Sequence, residues 1–176
     1  MPEKAIGPEF MRLTKYDYAG PTAQEKGEPQ PPLEIPYNPQ SRLVDLPDPL
    51  TAGAQTLDLA AILQQRRSHR KYAAQPISLA ELSFLLWATQ GITGGMGGYQ
   101  FRASPSAGAL YPVETYLAVH RVDGVAPGIW HFQVLDFALE LVTAGDFRQP
   151  LAAAGLSQSF LAEAGAVFIW TGVLNR

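Results

Sequence analysis

Two short stretches of the chain carry residue types whose spacing suits chemistry. In Arg66-Arg67-Ser68-His69-Arg70, three guanidiniums and a hydroxyl fall within five residues. Their forked donors match the planar oxygens of a phosphate, and the serine adds a neutral donor. Cations just past a helix also complement its dipole, so taken alone these residues read first as solvated helix punctuation. In Ser104-Pro105-Ser106-Ala107-Gly108-Ala109-Leu110-Tyr111-Pro112, two prolines stiffen a loop whose middle has only small side chains. A flat molecule would lie against its exposed backbone amides and carbonyls without steric conflict. The plainer alternative is a tight connection into the strand that follows. Both stretches in this order are more specific than either alone.

Other candidates are weaker. His120 and His131 fall on expected strands, and with no second histidine or carboxylate at ligand spacing they read as sheet residues, so no metal site is assigned. His69 faces solvent or a bound phosphate. Ser106 has no base at a recognisable spacing, which leaves a hydrolase triad unsupported. Trp87, Trp130 and Trp170 read as core aromatics. With no cysteine, the chain has no disulfide scaffold, thiolate metal site or cysteine nucleophile.

The 176 residues suit one domain, or a domain plus a tail, and 47% hydrophobic against 16% charged residues is enough apolar material for a core. A net charge of -3 supplies no bulk positive field for nucleic acid or an anionic membrane. No apolar run approaches the length of a membrane span, and the expected location is cytoplasmic. Ten of the 15 prolines and the whole net charge lie in residues 1–50, so residues 1–55 are expected to form a Pro-rich arm. The arm is either a disordered linker or a strap wrapped on its own domain or a partner, for which Leu33, Ile35, Tyr37, Leu43, Val44 and Leu46 are suitable. Gly7-Pro8-Glu9-Phe10 is as compatible with a tag remnant within residues 1–10 as with native sequence.

From residue 56 the elements that must position both stretches can be read. Leu59, Ile62 and Leu63 recur at helical spacing just before the arginines. Ser78-Leu79-Ala80-Glu81 is a capping box opening a helix with Leu82, Leu85 and Leu86, which Gly91 stops. Five glycines in residues 91–98 point to a mobile segment. Val113 to Val122 alternates, with Val113, Thr115, Leu117 and Val119 on one face and Glu114, Tyr116, Ala118 and His120 on the other. Ile129 to Leu135 and Ala138 to Val142 follow at hairpin spacing. Phe147 to Ala154 is expected to be a helix, and Ala166 to Thr171 a buried central strand. Helices first and a strand meander after give an α+β class. A chain ending at Arg176, just past an apolar strand, reads as an incomplete fold.

The Arg-Arg-Ser-x-Arg cluster, the Ser78-capped helix ending in Leu86-Trp87-Ala88-Thr89-Gln90-Gly91, and Arg102 followed by Ser104 to Pro112 and Glu114 together resemble the FMN-dependent nitroreductase superfamily. The wording Pro-Ser-Ala-Gly-Ala-Leu-Tyr-Pro-Val-Glu is most similar to the SagB-type branch, which includes azoline dehydrogenases acting on modified peptides. The resemblance spans residues 56–176. It implies a nitroreductase-like fold, an antiparallel sheet covered by helices, and a homodimer with FMN in the interface. Arg66, Arg67, Ser68 and Arg70 match the segment that binds the FMN phosphate and ribityl chain. Pro105, Ser106, Ala107 and Gly108 match the loop beside the isoalloxazine, contributed by the other subunit.

Ala109 and Tyr111 depart from the Asn and Gln of many nitroreductases, which removes those side-chain contacts from the expectation. The family's later helices, a further phosphate-binding arginine, an exchanged strand and a Lys-Tyr pair have no match here, since Lys15-Tyr16 and Lys71-Tyr72 lie outside the matching region. No catalytic residue is assigned. The expected activity is hydride transfer through FMN by a ping-pong mechanism, with NADH or NADPH as a possible donor and a small molecule or modified peptide as substrate. The alternative is a catalytically silent partner or fragment that binds a peptide or protein chain.

Overall fold

Ser78 opens the helix that organises the core. In the computed structural model, which describes residues 5–50 and 58–176, α3 (Leu79–Gln90) begins with a complete capping box. The Glu81 amide donates to Ser78 Oγ at 3.2 Å, and the Ser78 amide donates to Glu81 Oε2 at 2.9 Å. Leu82 and Leu86, one turn apart, are fully buried. The helix ends where the Gly91 amide donates to the Trp87 carbonyl at 2.8 Å. Gly91 has an ordinary φ of -60°, so space is what demands glycine there: a Cβ would lie 2.4 Å from Trp87 Cδ1 and 2.6 Å from Trp87 Cα.

Leu82 and Leu86 pack on an antiparallel sheet of five strands in the order β1-β6-β5-β4-β7. These are β1 (Leu43–Asp45), β4 (Val113–Val119), β5 (Gly128–Gln133), β6 (Ala138–Ala144) and β7 (Ala166–Gly172). The alternation read from the sequence sets the faces. Leu117 and Val119 join Trp130, Phe132 and Leu139 in the core under α3. Glu114, His131, Gln133 and Glu140, with Tyr116, occupy the opposite face, where Tyr116 pairs with His131 and His131 with Glu140 across the strands. That face is also covered, because Glu114, His131 and Gln133 are at most 2% exposed. The fold is the antiparallel, helix-covered α+β arrangement expected.

Two expectations are corrected. The glycine-rich segment is a β-hairpin, β2 (Ile92–Met96) paired with β3 (Tyr99–Arg102). Gly97 and Gly98, with φ of 58° and 86°, make the two-residue turn, a positive-φ geometry whose twist matches the right-handed twist of the paired strands. The apolar strand β7 is not central: it lies at the sheet's edge beyond β4, and Trp170 is 59% exposed. An uninterrupted apolar run records the capacity for burial on two faces, not the presence of neighbours on both.

Three helices flank this frame. In α2 (Leu59–Gln65), the Asp58 side chain caps the start by accepting from the Ala60 amide at 3.0 Å. Its apolar residues Leu59, Ile62 and Leu63 are exposed. α4 (Arg148–Ala154) carries Pro150 as its third residue, within the first turn, whose amides lack helical acceptors anyway. α5 (Phe160–Glu163) leads into β7. Nearer the N-terminus, α1 (Ile6–Leu13) includes Gly7 to Phe10 and buries no residue. The expected boundary between arm and domain, at residues 55 and 56, lies outside the described residues. Among the described residues no helix is long and apolar enough to cross a membrane.

Candidate functional site

The loop from Ser104 to Pro112 departs from ordinary backbone geometry. Gly108, Ala109 and Tyr111 have φ of 65°, 53° and 45°, a left-handed conformation that costs an L-residue roughly 1–2 kcal/mol. Local bonds hold it. The Ala109 amide donates to the Ser106 carbonyl at 3.2 Å, and the Tyr111 amide donates to Ser106 Oγ at 2.8 Å. The buried Tyr111 hydroxyl donates to the Gln100 carbonyl at 2.8 Å and accepts from the Arg102 amide at 3.2 Å. The Arg102 guanidinium lies 4.3 Å from the centre of the Tyr111 ring. Pro105, Ala107 and Gly108 are left exposed, forming a ledge without bulky side chains.

That ledge borders a cavity of about 1030 Å³, at the upper end of the range for small-molecule sites. Its walls are the turn at Gly108–Leu110, the hairpin end at Gly98–Gln100, residues 22–24, the Pro-rich segment of residues 28–33 and the segment of residues 174–176. Gln100 Oε1 is buried without a partner.

Residues 33–38 are tied across the polar face of the sheet by their own main chain. The Ile35 amide donates to Glu114 Oε1 at 3.0 Å, the Asn38 amide to Glu140 Oε1 at 2.9 Å, and the Leu33 carbonyl accepts from Arg102 Nη2 at 3.1 Å. In return Glu34 Oε2 accepts from the amides of Val134 and Leu135. Beneath this strap, Glu114 Oε2 accepts from His131 Nε2 at 2.9 Å, and His131 Nδ1 accepts from Gln133 Nε2 at 2.8 Å. This network assigns the proton to Nε2. Gln133 Nε2 also donates to Glu140 Oε2 at 3.1 Å, and Arg176 Nη2 lies 2.5 Å from Glu114 Oε1.

The charges in this network shift one another. Burial alone would raise the Glu114 carboxyl, but the hydrogen bonds from His131 and Arg176 outweigh it and hold the group below its ordinary value. Burial pushes Glu34 up, against the opposing amides of Leu135 and Val134. Burial also raises Tyr116, whose ring stacks on His131 with centroids 4.4 Å apart, and the Glu114 and Glu140 charges add to that.

The basic stretch lies elsewhere. Arg66 caps the end of α2 with its amide on the Ile62 carbonyl. Arg67 Nη1 donates to the carbonyls of Gln64 and Arg66 at 2.9 Å, and the Arg70 guanidinium stands 5.7 Å from the centre of the Phe160 ring. Residues 66–70, Ser68 included, are all exposed. Among the described residues no ion pair involves Arg66, Arg67 or Arg70. The chain then reaches Ile77, whose amide donates to the Arg121 carbonyl just past β4. The Ser104–Pro112 loop enters β4 at its other end, so the two stretches are separated by the strand, roughly 20 Å at about 3.3 Å per residue. One chain does not bring them together.

Each stretch nevertheless fits part of a flavin nucleotide. Three arginines with no carboxylate partner among the described residues suit a phosphate, and the exposed small-residue ledge has room for a ring.

His131 lies on β5 and His120 directly follows β4. His120 Nδ1 donates to the Ala164 carbonyl at 3.0 Å, and burial lowers its pKa. Among the described residues no three His, Cys, Asp or Glu side chains are grouped to hold a metal ion. Sequence reasoning missed Glu34, Gln133, Glu140 and the hydroxyl of Tyr111. Their partners lie on other elements, and only the placement of Glu114 and His131 on alternating strands hinted at a buried polar face.

A profile of the Nitroreductase family matches residues 63–176. The chain is similar to a curated Methanocaldococcus jannaschii protein designated a nitroreductase, 36% identical over 126 residues that make up 72% of this chain and 60% of that protein. Among solved structures, an Anabaena variabilis protein with the same designation superposes with a TM-score of 0.62 at 24% identity, over 97% of this chain and 32% of its own. This likeness concerns the fold. A Ralstonia eutropha protein, again designated a nitroreductase, superposes with a TM-score of 0.58 at 26% identity, over 79% of this chain and 60% of its own. The chain thus spans 60% of the length of its curated relative.

Proposed function

Because this chain belongs to the nitroreductase family, we propose that it works as an FMN-dependent oxidoreductase whose cofactor sits between two copies. The observation that carries this reading is the left-handed turn at the exposed Gly108 and the half-buried Ala109 on the wall of the cavity. A backbone held in that conformation without large side chains lets a planar ring approach main-chain donors closely.

Arg66, Arg67 and Arg70 would neutralise the phosphate, and the Ser68 hydroxyl would donate to it. Pro105, Ser106, Ala107 and Gly108, from the partner copy, would lie along the ring. The distance between the two stretches within one chain supports a site completed by a second. The Tyr111 hydroxyl is already taken up by Gln100 and Arg102. When bound, FMN would supply a two-electron centre for hydride exchange with NADH, NADPH or the substrate itself, in the two half-reactions of a ping-pong cycle. The chain's share is to hold the nucleotide's anionic end, to leave the ring face open to the cavity and to exclude water with the strap. The Pro105-to-Glu114 wording supports SagB-type oxidation of azoline rings in a modified peptide as the finer reading.

The test is reconstitution. Purified protein is incubated with FMN, separated from free ligand, and examined for the visible flavin band and for mass in solution. A yellow dimer with one FMN per chain is expected. Colourless protein that takes up no FMN overturns the reading, and a monomer that binds FMN overturns the shared site.

A further inference from the structure

Tyr111 touches or is linked to four stretches that line the cavity: the turn, the hairpin, Arg176 and the Pro-rich segment at Leu33. Its hydroxyl bridges the Gln100 carbonyl and the Arg102 amide of the hairpin. Its own amide donates to Ser106 Oγ inside the turn, and its carbonyl accepts from Arg176 Nη1 at 3.1 Å. Through the Arg102 guanidinium, stacked on its ring and bonded to the Leu33 carbonyl, it reaches the Pro-rich strap. It does this while only 7% exposed and at a φ of 45°. A bulky residue persists at such a φ only where the surroundings over-determine it. A connector into a strand has no need of a strained aromatic whose one polar atom is saturated by a separate hairpin.

We propose that Tyr111 is the positioning residue of the site: it fixes the Gly108–Ala109 turn relative to the hairpin and the strap, and so sets the shape of the cavity. The proposal rests on the functional reading only where flavin is the probe. The bond from the Arg102 amide is buried and that to the Gln100 carbonyl partly so, and deleting the hydroxyl takes a partner from each. The phenyl ring of phenylalanine keeps the packing and the cation over its face, which isolates the hydroxyl.

The experiment compares Tyr111→Phe with wild type and with Ala152→Gly, a helix substitution in α4 remote from the cavity that serves as a stability control. Two quantities are read: the dissociation constant for FMN, and amide hydrogen exchange without flavin. Tyr111→Phe is expected to weaken FMN binding at least about tenfold, equivalent to roughly 1.4 kcal/mol. Protection should fall together in residues 99–102 and 106–111, while Ala152→Gly changes neither. Wild-type affinity and exchange in Tyr111→Phe overturn the proposal, as does the same pattern in Ala152→Gly. If wild type takes up no FMN, the functional reading fails and exchange still decides the role of Tyr111. If Tyr111→Phe does not fold, wild-type exchange decides. The amides of Arg102 and Tyr111 must then open with the same free energy, and independent opening overturns the proposal.

Discussion

The Ile35 amide donates to Glu114 Oε1 at 3.0 Å, joining residues 79 positions apart. A side chain on a central strand thus accepts from the main chain of a Pro-rich segment that has no ladder partner of its own there. Pro31, Pro32 and Pro36 restrict that segment in the unfolded chain, so little backbone freedom remains to be lost when it docks. Glu114 accepts at the same time from His131 and faces Arg176. Glu114→Gln should therefore destabilise the protein by about 3 kcal/mol, as expected when one partner of a buried ion pair is removed. The strap should also loosen, with faster proteolysis within residues 20–38. Urea unfolding and limited proteolysis check the two effects, and loss of stability without new cleavage would separate Glu114 from the strap.

Acid should weaken the fold in two stages. His120 is held neutral chiefly by burial, its pKa lowered from 6.5. As pH falls below about 6.5 the unfolded chain takes up a proton that the folded chain refuses, and stability falls until the folded value is passed. Glu114, also lowered, from 4.5, contributes stability that is complete above about 4.5 and is lost as pH drops through its folded value. Glu34, raised, works in the opposite sense, its unfavourable contribution growing as pH rises above 4.5. Denaturation midpoints across this range, with His120→Gln as the comparison, test the first stage: the variant should be flatter between pH 6.5 and the Glu114 region.

What was legible in the sequence was local or periodic. The capping box at Ser78, the alternation after Val113 and the hairpin spacing of the next strands each depend on residues within a few positions of one another, and each positions part of the site. The hairpin at residues 92–102 was misread because glycine was counted as freedom, whereas Gly97-Gly98 beside Tyr99 and Phe101 carries a turn signal. The strap was legible only as one of two alternatives, from its apolar residues, and the carboxylates that tie it down were not. Glu34, Glu114 and Glu140 look like surface carboxylates until main-chain amides from 79 to 102 positions away are placed on them. Tyr111 looked like a departure from a family pattern, and only its bonds to Gln100 and Arg102 reveal it as a junction.

Gly91 gives a sharp test of packing at the helix end. Its backbone is accessible to any residue, yet an added Cβ would collide with the Trp87 side chain and with Trp87 Cα. Gly91→Ala should cost about 2–3 kcal/mol by overpacking, against the small gain from reduced chain entropy that such a change brings at an open site. Thermal unfolding measures it. The same change at Gly94, where the nearest atom beyond its neighbours is a Phe101 ring carbon at 3.8 Å, should be tolerated much better.

The shared site makes a prediction that no single-chain site can meet. Arg66→Ala with Arg70→Ala removes two of the proposed phosphate donors, each charge-assisted bond being worth about 1.5–3 kcal/mol. Gly108→Val forces a β-branched residue into a φ of 65°, which distorts the ledge. Each variant alone should bind FMN poorly. When the two are mixed, unfolded and refolded together, half of the molecules become heterodimers. One site in each heterodimer joins two damaged stretches, while the other joins an intact arginine cluster from one copy to an intact turn from the other. FMN titration of the mixture should recover one tight site per heterodimer, with the affinity of wild type. If a single chain held both halves, mixing would restore nothing, because every site would retain one lesion.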